Sequence, residues 1–289
     1  MASRTVPSAP VAGVTEPNDA GRMVDIPLSP DTKITVERRG QIVLIGINRP
    51  QMYNRIDPEA FYGLAKSYHD FDNDTTLRAA VLFGHGEHFS RGNDVHAFSA
   101  LAKSGKSLTL GEGQIDPLGR KQKLSKPLVA VAHGDTWNMG HELHLVADIR
   151  VASADVRYAQ TENAYGRVPG VGPVRLCREA GWANAMRYLL TGDHWDAETA
   201  FRMGIVQEIT SDKDAALKVG IGIANRIAAC GPIGIKATLA AAHLAINDAA
   251  DAAAYAKLEE EYVKLFGSED FLEGRKAEAE NRRPIFHGQ

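Results

Sequence analysis

Four short, largely apolar runs recur between residues 41 and 153: QIVLIGIN at 41–48, AAVLFG at 79–84, PLVAVAHG at 127–134 and IRVAS at 149–153. Runs of this length with little polar alternation suit strands covered on both faces, and helix-patterned sequence between them restricts the chain to an α/β fold. ITVERR at 34–39, a turn at Gly40 and the first run predict a hairpin. A helix is predicted from Asp57 as N-cap and Pro58 as first helical residue, because Phe61, Leu64, Tyr68 and Phe71 recur on one face. GHELHLVA at 140–147 predicts a second helix. Residues 173–209 read as short helices separated by Gly181, Gly192 and Gly204, with IVQEI at 205–209 as a last strand. Beyond Asp212 the sequence is rich in Ala, Leu, Glu and Lys and reads as helical, with breaks near Gly231-Pro232 and Gly267-Ser268. The expected organisation is a flexible arm over 1–30, an α/β core over 31–212 and a helical region over 213–289.

Charge and composition exclude several classes. The chain has 289 residues, 44% of them hydrophobic, and a formal net charge of -3, which gives no electrostatic footprint for nucleic acid or an anionic membrane. No apolar run approaches the roughly 18 residues a spanning helix needs. The first thirty residues lack the charged-then-apolar order of a signal peptide, so a cytoplasmic location is expected. Cys177 and Cys230 are far apart in sequence and read as small buried hydrophobes in a reducing compartment.

Familiar chemistries fail on spacing. Ser104-Gly105-Lys106-Ser107 has the end of a phosphate loop, but Ala100 stands where its first glycine belongs. Gly220-Ile221-Gly222 lies in helix-patterned sequence, against a dinucleotide site, and no G-x-S-x-G elbow exists. His141 and His144 are three apart around Glu142, not four as in the helical zinc motif, and no metal site is expected. Buried, hydrogen-bonded histidines or histidines lining a pocket are the readings left for them.

The informative stretch is 126–172. A strand leads into a helix whose first turn contains Gly140 and Glu142, where backbone N–H groups lack intrahelical partners and can stabilise a developing oxyanion. Twenty residues on, Glu162 follows the strand-like VRYAQ and precedes a Gly/Pro-rich turn. Two carboxylates sharing one dry site have their pKa values pushed apart, which lets one act as base and the other as acid.

INRP at 47–50, FSRGND at 89–94, KPLVAVAHG at 126–134, GHEL at 140–143, ADIRVAS at 147–153, VPGVG at 168–172, LLTG at 189–192, AFRMGIVQEI at 200–209, and EDFLEGRKA and RRPIF near the end follow in one order and spacing. On these motifs the chain resembles the crotonase superfamily of enoyl-CoA hydratases and isomerases over nearly everything after residue 33. The resemblance implies a spiral of ββα turns, a helical C-terminal region that packs a homotrimer or homohexamer, and acyl-coenzyme A substrates with coenzyme A as part of the substrate and no separate cofactor. It implies that the N–H groups of Arg91 and Met139 bind the thioester oxygen and that Glu142 and Glu162 manage a water added at C3 and a proton at C2. The same motifs put Gly92, Asp94, Gly140 and Gly170, with Trp137, Asn138 and His141, around the substrate.

Departures from the family pattern are concentrated at the oxyanion loop, Asp135-Thr136-Trp137-Asn138-Met139-Gly140, where two usual glycines are Asn138 and Met139. Arg91 fills a position usually small, and its side chain can face solvent, pair with a carboxylate or contact a phosphate. Trp137, Asn138, His133 and His141 add bulk and hydrogen-bonding capacity, which favours an aromatic, cyclic or oxygenated acyl group. The VPGVG stretch is one residue shorter than the family's glycine-rich run. Keeping both glutamates points to reversible hydration of a 2-enoyl-CoA. A hydrolase or carbon-carbon lyase acting on a β-dicarbonyl or hydroxyacyl thioester, and an acyl-CoA-binding scaffold, remain as alternatives.

Overall fold

A computed structural model describes residues 32–246, 266–282 and 284–285. The expected arm over 1–30 and parts of the expected C-terminal helical region lie outside the described residues. Strands β1 (Ile34–Arg39) and β2 (Ile42–Ile47) form the predicted antiparallel hairpin. β3 (Ala79–Gly84), β4 (Leu128–Ala132), β6 (Ile149–Ser153) and β9 (Glu208–Thr210) extend it as parallel strands into a six-stranded sheet of order β1-β2-β3-β4-β6-β9.

Both faces of the central strands β2, β3 and β4 are covered, which is why these strands are wholly apolar. Val43, Ile45, Ile47, Leu82 and Ala130 face α1 (Pro58–Asn73) with its Phe61, Leu64, Tyr68 and Phe71. The alternate residues Ile42, Leu44, Val81, Val129 and Val131 pack with Ile221, Ile223 and Ala224 of α7 (Lys213–Ala228). Gly220 permits that contact, since a Cβ there would stand 2.4 Å from Val131 Cγ2. Asp57 and Asp212 cap α1 and α7 by accepting from Ala60 and Ala215 N–H. The sequence change at 212 therefore marks a helix start, while α7 itself completes the core.

A second, smaller sheet makes the chain a spiral. β5 (Asp135–Trp137) pairs in parallel with β7 (Arg157–Ala159), which pairs antiparallel with β8 (Trp195–Asp196). Single bridges, Ser90 to Thr136 and Ile56 to Asn93, carry this pairing back to the earlier turns. Each turn thus runs from the large sheet to the small one and into a helix: α1, then α2 (Val95–Lys103), then α3 (Met139–Leu145), then α4 (Gly172–Ala180). α5 (Trp182–Leu189) and α6 (Ala197–Arg202) follow, and α8 (Pro232–Ile246) and α9 (Glu269–Ala279) belong to the helical C-terminal region.

α2, β5 and β8 are absent from the sequence expectations. α2 has no fully buried residue and so carries a weak apolar stripe, and β5 and β8 are three and two residues long. Cys230 is exposed and Cys177 half-buried, against the expectation of two buried thiols: Cys230 lies just past the end of α7, and Cys177 packs against the core from α4 with one side left open. Among the described residues no helix is long and apolar enough to cross a membrane.

Candidate active site

α3 carries the centre of the site, and aromatic packing fixes its rotation. His141 is fully buried against Tyr158 (ring centroids 5.4 Å) and Trp195 (5.1 Å), and His144 stacks on Tyr158 (5.7 Å). With positions 141, 144 and 145 turned to the core, Glu142 faces the loop at 170–172. His141 Nδ1 lies 2.9 Å from Gln160 Nε2, and burial pushes its pKa down to about 3, so the ring stays neutral. The expectation that His141 contacts substrate is corrected: it anchors the helix. His144 lies 3.3 Å from the Val151 carbonyl and 3.4 Å from the Tyr158 hydroxyl, and His133, also buried, is pushed down to about 4.

Glu142 is buried and held by peptide N–H groups. Gly172 donates to its Oε1 at 3.0 Å, and the Val171 and Gly170 amides also act on the carboxylate. A Cβ on Gly170 would stand 2.7 Å from Glu142 Oε2, so glycine there lets the backbone close over the charge. Burial still outweighs the amides and the Arg120 charge, and the pKa of Glu142 is raised.

Glu162 precedes the single helical turn Asn163–Tyr165. The residue is half-buried, but its Oε2 is sealed from solvent without a hydrogen-bond partner. Burial first, and the Glu142 charge second, raise its pKa above the ordinary carboxylate range. The structure thus brings the two glutamates into one electrostatic unit, the amide-cradled one better suited to ionise and the orphaned one to hold a proton.

A stability consequence follows. Glu162's pKa is raised in the folded state, so the native chain holds a proton that the unfolded chain releases above about pH 4.3. This contribution is complete below the unfolded pKa and lost as pH rises through the folded one. Glu162→Gln is therefore expected to melt close to wild type near pH 4 and a few degrees above it near pH 8. A melting difference constant with pH, measured by calorimetry, would contradict the shift.

The loop before α3 adopts the backbone that glycine usually supplies. Asn138 has φ 52° and ψ −126°, a strained geometry for a side chain. Its Oδ1 accepts from Thr161 N–H at 2.8 Å and Thr161 Oγ1 at 3.1 Å, and its own N–H donates to the Ala159 carbonyl at 2.8 Å. Asn138 is thus a strut between the oxyanion loop and the Glu162 segment. Met139, the first residue of α3, has an N–H without an intrahelical acceptor. Gly140 and Gly92 let the facing segment approach: a Cβ at 140 would lie 2.2 Å from the Ser90 carbonyl oxygen, and one at 92 would lie 3.1 Å from Met139 N.

Arg91 differs from expectation in its backbone. Its N–H donates to the Tyr53 carbonyl at 3.0 Å, so this donor is already taken, with Tyr53 and Asn54 both left-handed at φ 55° and 52°. Its guanidinium pairs with the fully buried Asp135 at 2.6 Å and lies 3.9 Å from the Tyr53 ring centroid and 4.8 Å from that of Trp137. Of the three roles open to this arginine, carboxylate pairing is the one observed. Trp137 is a wall of the same cluster, its ring also packed at a tilt against His194 at 4.9 Å. Asp94, expected near substrate, instead caps α2 through Ala97 N–H at 3.2 Å and faces Arg49 at 3.4 Å. Its carboxylate is committed to a helix end because α2 begins at the next residue.

Sequence reasoning missed the Asn138–Thr161 and Arg91–Asp135 contacts, and also the cover supplied by α9. A Cβ on Gly274 would meet the Tyr165 carbonyl oxygen, and Arg275 donates to Ser99 of α2 at 2.9 Å. The last helix therefore rests on the turn that follows Glu162. Partners this distant in sequence leave no local signal.

Comparison with known proteins gives the same class as the spiral and the paired glutamates. The enoyl-CoA hydratase/isomerase family model matches residues 37–289. The enoyl-CoA hydratase EchA19 of Mycobacterium tuberculosis is 31% identical over 92% of this chain and all of its own length. The (E)-benzylidenesuccinyl-CoA hydratase of Thauera aromatica is 31% identical over 88% of this chain and 99% of its own. A crystal structure of a probable enoyl-CoA hydratase/isomerase from Mycobacterium abscessus, 38% identical, superimposes with a TM-score of 0.72 over 89% of this chain and 99% of that one. The chain belongs to the crotonase superfamily, as an enoyl-CoA hydratase-like lyase.

Proposed function

We propose that the protein catalyses reversible hydration of a 2-enoyl-CoA to a 3-hydroxyacyl-CoA, with Glu142 as base and Glu162 as acid. The observation that carries this reading is the pair itself: one buried carboxylate cradled by three peptide amides, the other orphaned and raised partly by its neighbour's charge. Met139 N–H polarises the thioester carbonyl, Glu142 takes a proton from water as it adds at C3, and Glu162 delivers a proton to C2 of the resulting enolate. Arg91 N–H joins the hole by exchanging the Tyr53 carbonyl for the thioester oxygen. Coenzyme A enters as part of the substrate, and the addition needs no change of oxidation state overall. Trp137 and its cation-bearing neighbours favour a bulky or polar acyl group.

The test is loss of enoyl-thioester absorbance with crotonyl-CoA and a cinnamoyl-type CoA, with the product identified by mass. Hydroxyacyl-CoA is the expected product, whereas free acid or a cleaved fragment would replace this reading by a hydrolase or carbon-carbon lyase. Binding without turnover would leave a scaffold.

The same proposal extends to assembly as a homotrimer or homohexamer. α8 has Lys236 and His243 as its only acidic or basic residues and leaves Ile233 84% exposed, an apolar surface suited to a subunit interface. Sedimentation is expected to give three or six chains, and Ile233→Asp to lower that number. A wild-type monomer would refute it.

A further inference from the structure

A cavity of about 300 Å³ has Tyr68, Gly119, Val146 and Arg175 among its walls. Arg175 is 8% exposed and Tyr68 2%, yet among the described residues Arg175 Nε and the Tyr68 hydroxyl have no hydrogen-bond partner. The acids around the cavity are engaged elsewhere. Asp116 is held by Arg120 at 2.8 Å, Glu179 by Arg150 at 2.7 Å, and Asp148 accepts from Leu128 N–H at 2.8 Å and faces His243 at 3.8 Å. A guanidinium this deep with no salt bridge among the described residues carries a desolvation cost that a bound anion would offset.

The cavity's position suggests what that anion belongs to. Val146, directly after α3, follows Glu142 by four residues, and Arg175 follows Gly172, whose amide touches Glu142, by three on α4. Both helices therefore lead from the reacting carboxylate to the cavity wall within about one turn, ~5 to 6 Å. Coenzyme A must leave the site toward solvent, so the next space past Glu142 is where the distal end of an acyl group would go. We propose that Arg175 and Tyr68 bind a carboxylate at the far end of the acyl chain, which makes the preferred substrate class ω-carboxy-2-enoyl-CoA thioesters. Arginine suits this role because its planar fork matches a carboxylate in a bidentate pair, and burial keeps Tyr68 a neutral donor beside it.

The substrate assignment rests on the hydratase reading, but the site is testable by binding alone. Calorimetric titration of the full chain with the saturated thioesters adipyl-CoA and hexanoyl-CoA compares a terminal carboxylate with a terminal methyl. Adipyl-CoA is expected to bind at least about tenfold tighter, with Arg175→Met bringing the ratio to within about twofold and Tyr68→Phe reducing it less. Equal wild-type affinities overturn the proposal, as does an Arg175→Met or Tyr68→Phe variant that keeps the wild-type ratio. So does an Arg175→Met effect confined to the mass of the assembly, which would assign the arginine to a partner subunit's carboxylate. Failure of the hydratase reading would instead show as intact discrimination in binding with no hydration of crotonyl-CoA or of the ω-carboxy-2-enoyl thioester.

Discussion

Glu142→Gln is expected to lower kcat for hydration by about 10² to 10⁴, the range for loss of a positioned general base, with a much smaller change in KM. The amides of Gly170, Val171 and Gly172 surround this carboxylate from the backbone, so glutamine keeps the volume but presents an NH₂ group where an acceptor was required. Glu162→Gln is expected to fall in the same range for a different reason: glutamine cannot release the proton that Glu162 delivers to C2. Because the pair acts on one water and one enolate, the double variant is expected to lose little more than the worse single variant. Steady-state kinetics with crotonyl-CoA check all three. Two single variants that retain wild-type kcat would remove the acid-base assignment, even with fold and family membership unchanged.

Gly140→Ala should rank next. The added Cβ would press on the Ser90 carbonyl oxygen at 2.2 Å and Ser90 Cβ at 2.8 Å. The Ser90 segment cannot retreat easily: Trp137 N–H donates to the Ser90 carbonyl at 2.9 Å, Phe89 N–H to the His133 carbonyl at 2.9 Å and Ser90 Oγ to the Asn54 carbonyl at 2.7 Å. The first turn of α3 must move instead, taking the Met139 amide with it. Overpacking of this kind costs about 1 to 3 kcal/mol, and a misplaced oxyanion donor lowers kcat by about 10² to 10³. A control is Gly222→Ala on α7, where the new Cβ would meet only Arg226 Nη1 at 3.8 Å. It should leave kcat unchanged and, as a helix-interior replacement, slightly raise the melting temperature. If the two variants behaved alike in kinetics and melting, the close approach at Gly140 would not be what aligns the oxyanion loop.

The acyl-end proposal and the oxyanion loop bear on one another through the same helices. α3 presents Met139 and Glu142 at its start and Val146 past its end, while α4 begins at the Gly172 amide and carries Arg175 one turn later. A substrate held at its far end by Arg175 would have its C2 and C3 positioned between fixed points, which is how remote binding groups contribute to kcat as well as to affinity.

The sequence by itself determined the order of the main elements and the identity of the paired glutamates. It could do so because these signals are local or carried by motif spacing: apolar runs for strands covered on both faces, a capping Asp57 and Pro58 for α1, Gly231-Pro232 between α7 and α8, and GHEL twenty residues before Glu162. Only the tertiary structure decided which way side chains point and which polar groups are already satisfied. His141 and Glu142 are adjacent in sequence, but one turns onto Trp195 and the other beneath Gly172. Asn138 is held by Thr161, and Arg91's amide is taken by Tyr53 and its side chain by Asp135. Asp94 is occupied by a helix end, and Arg175 has its Nε unsatisfied. Burial and hydrogen-bond satisfaction depend on partners brought together from distant turns of the spiral, whereas periodicity, caps and motif spacing report on neighbours along the chain.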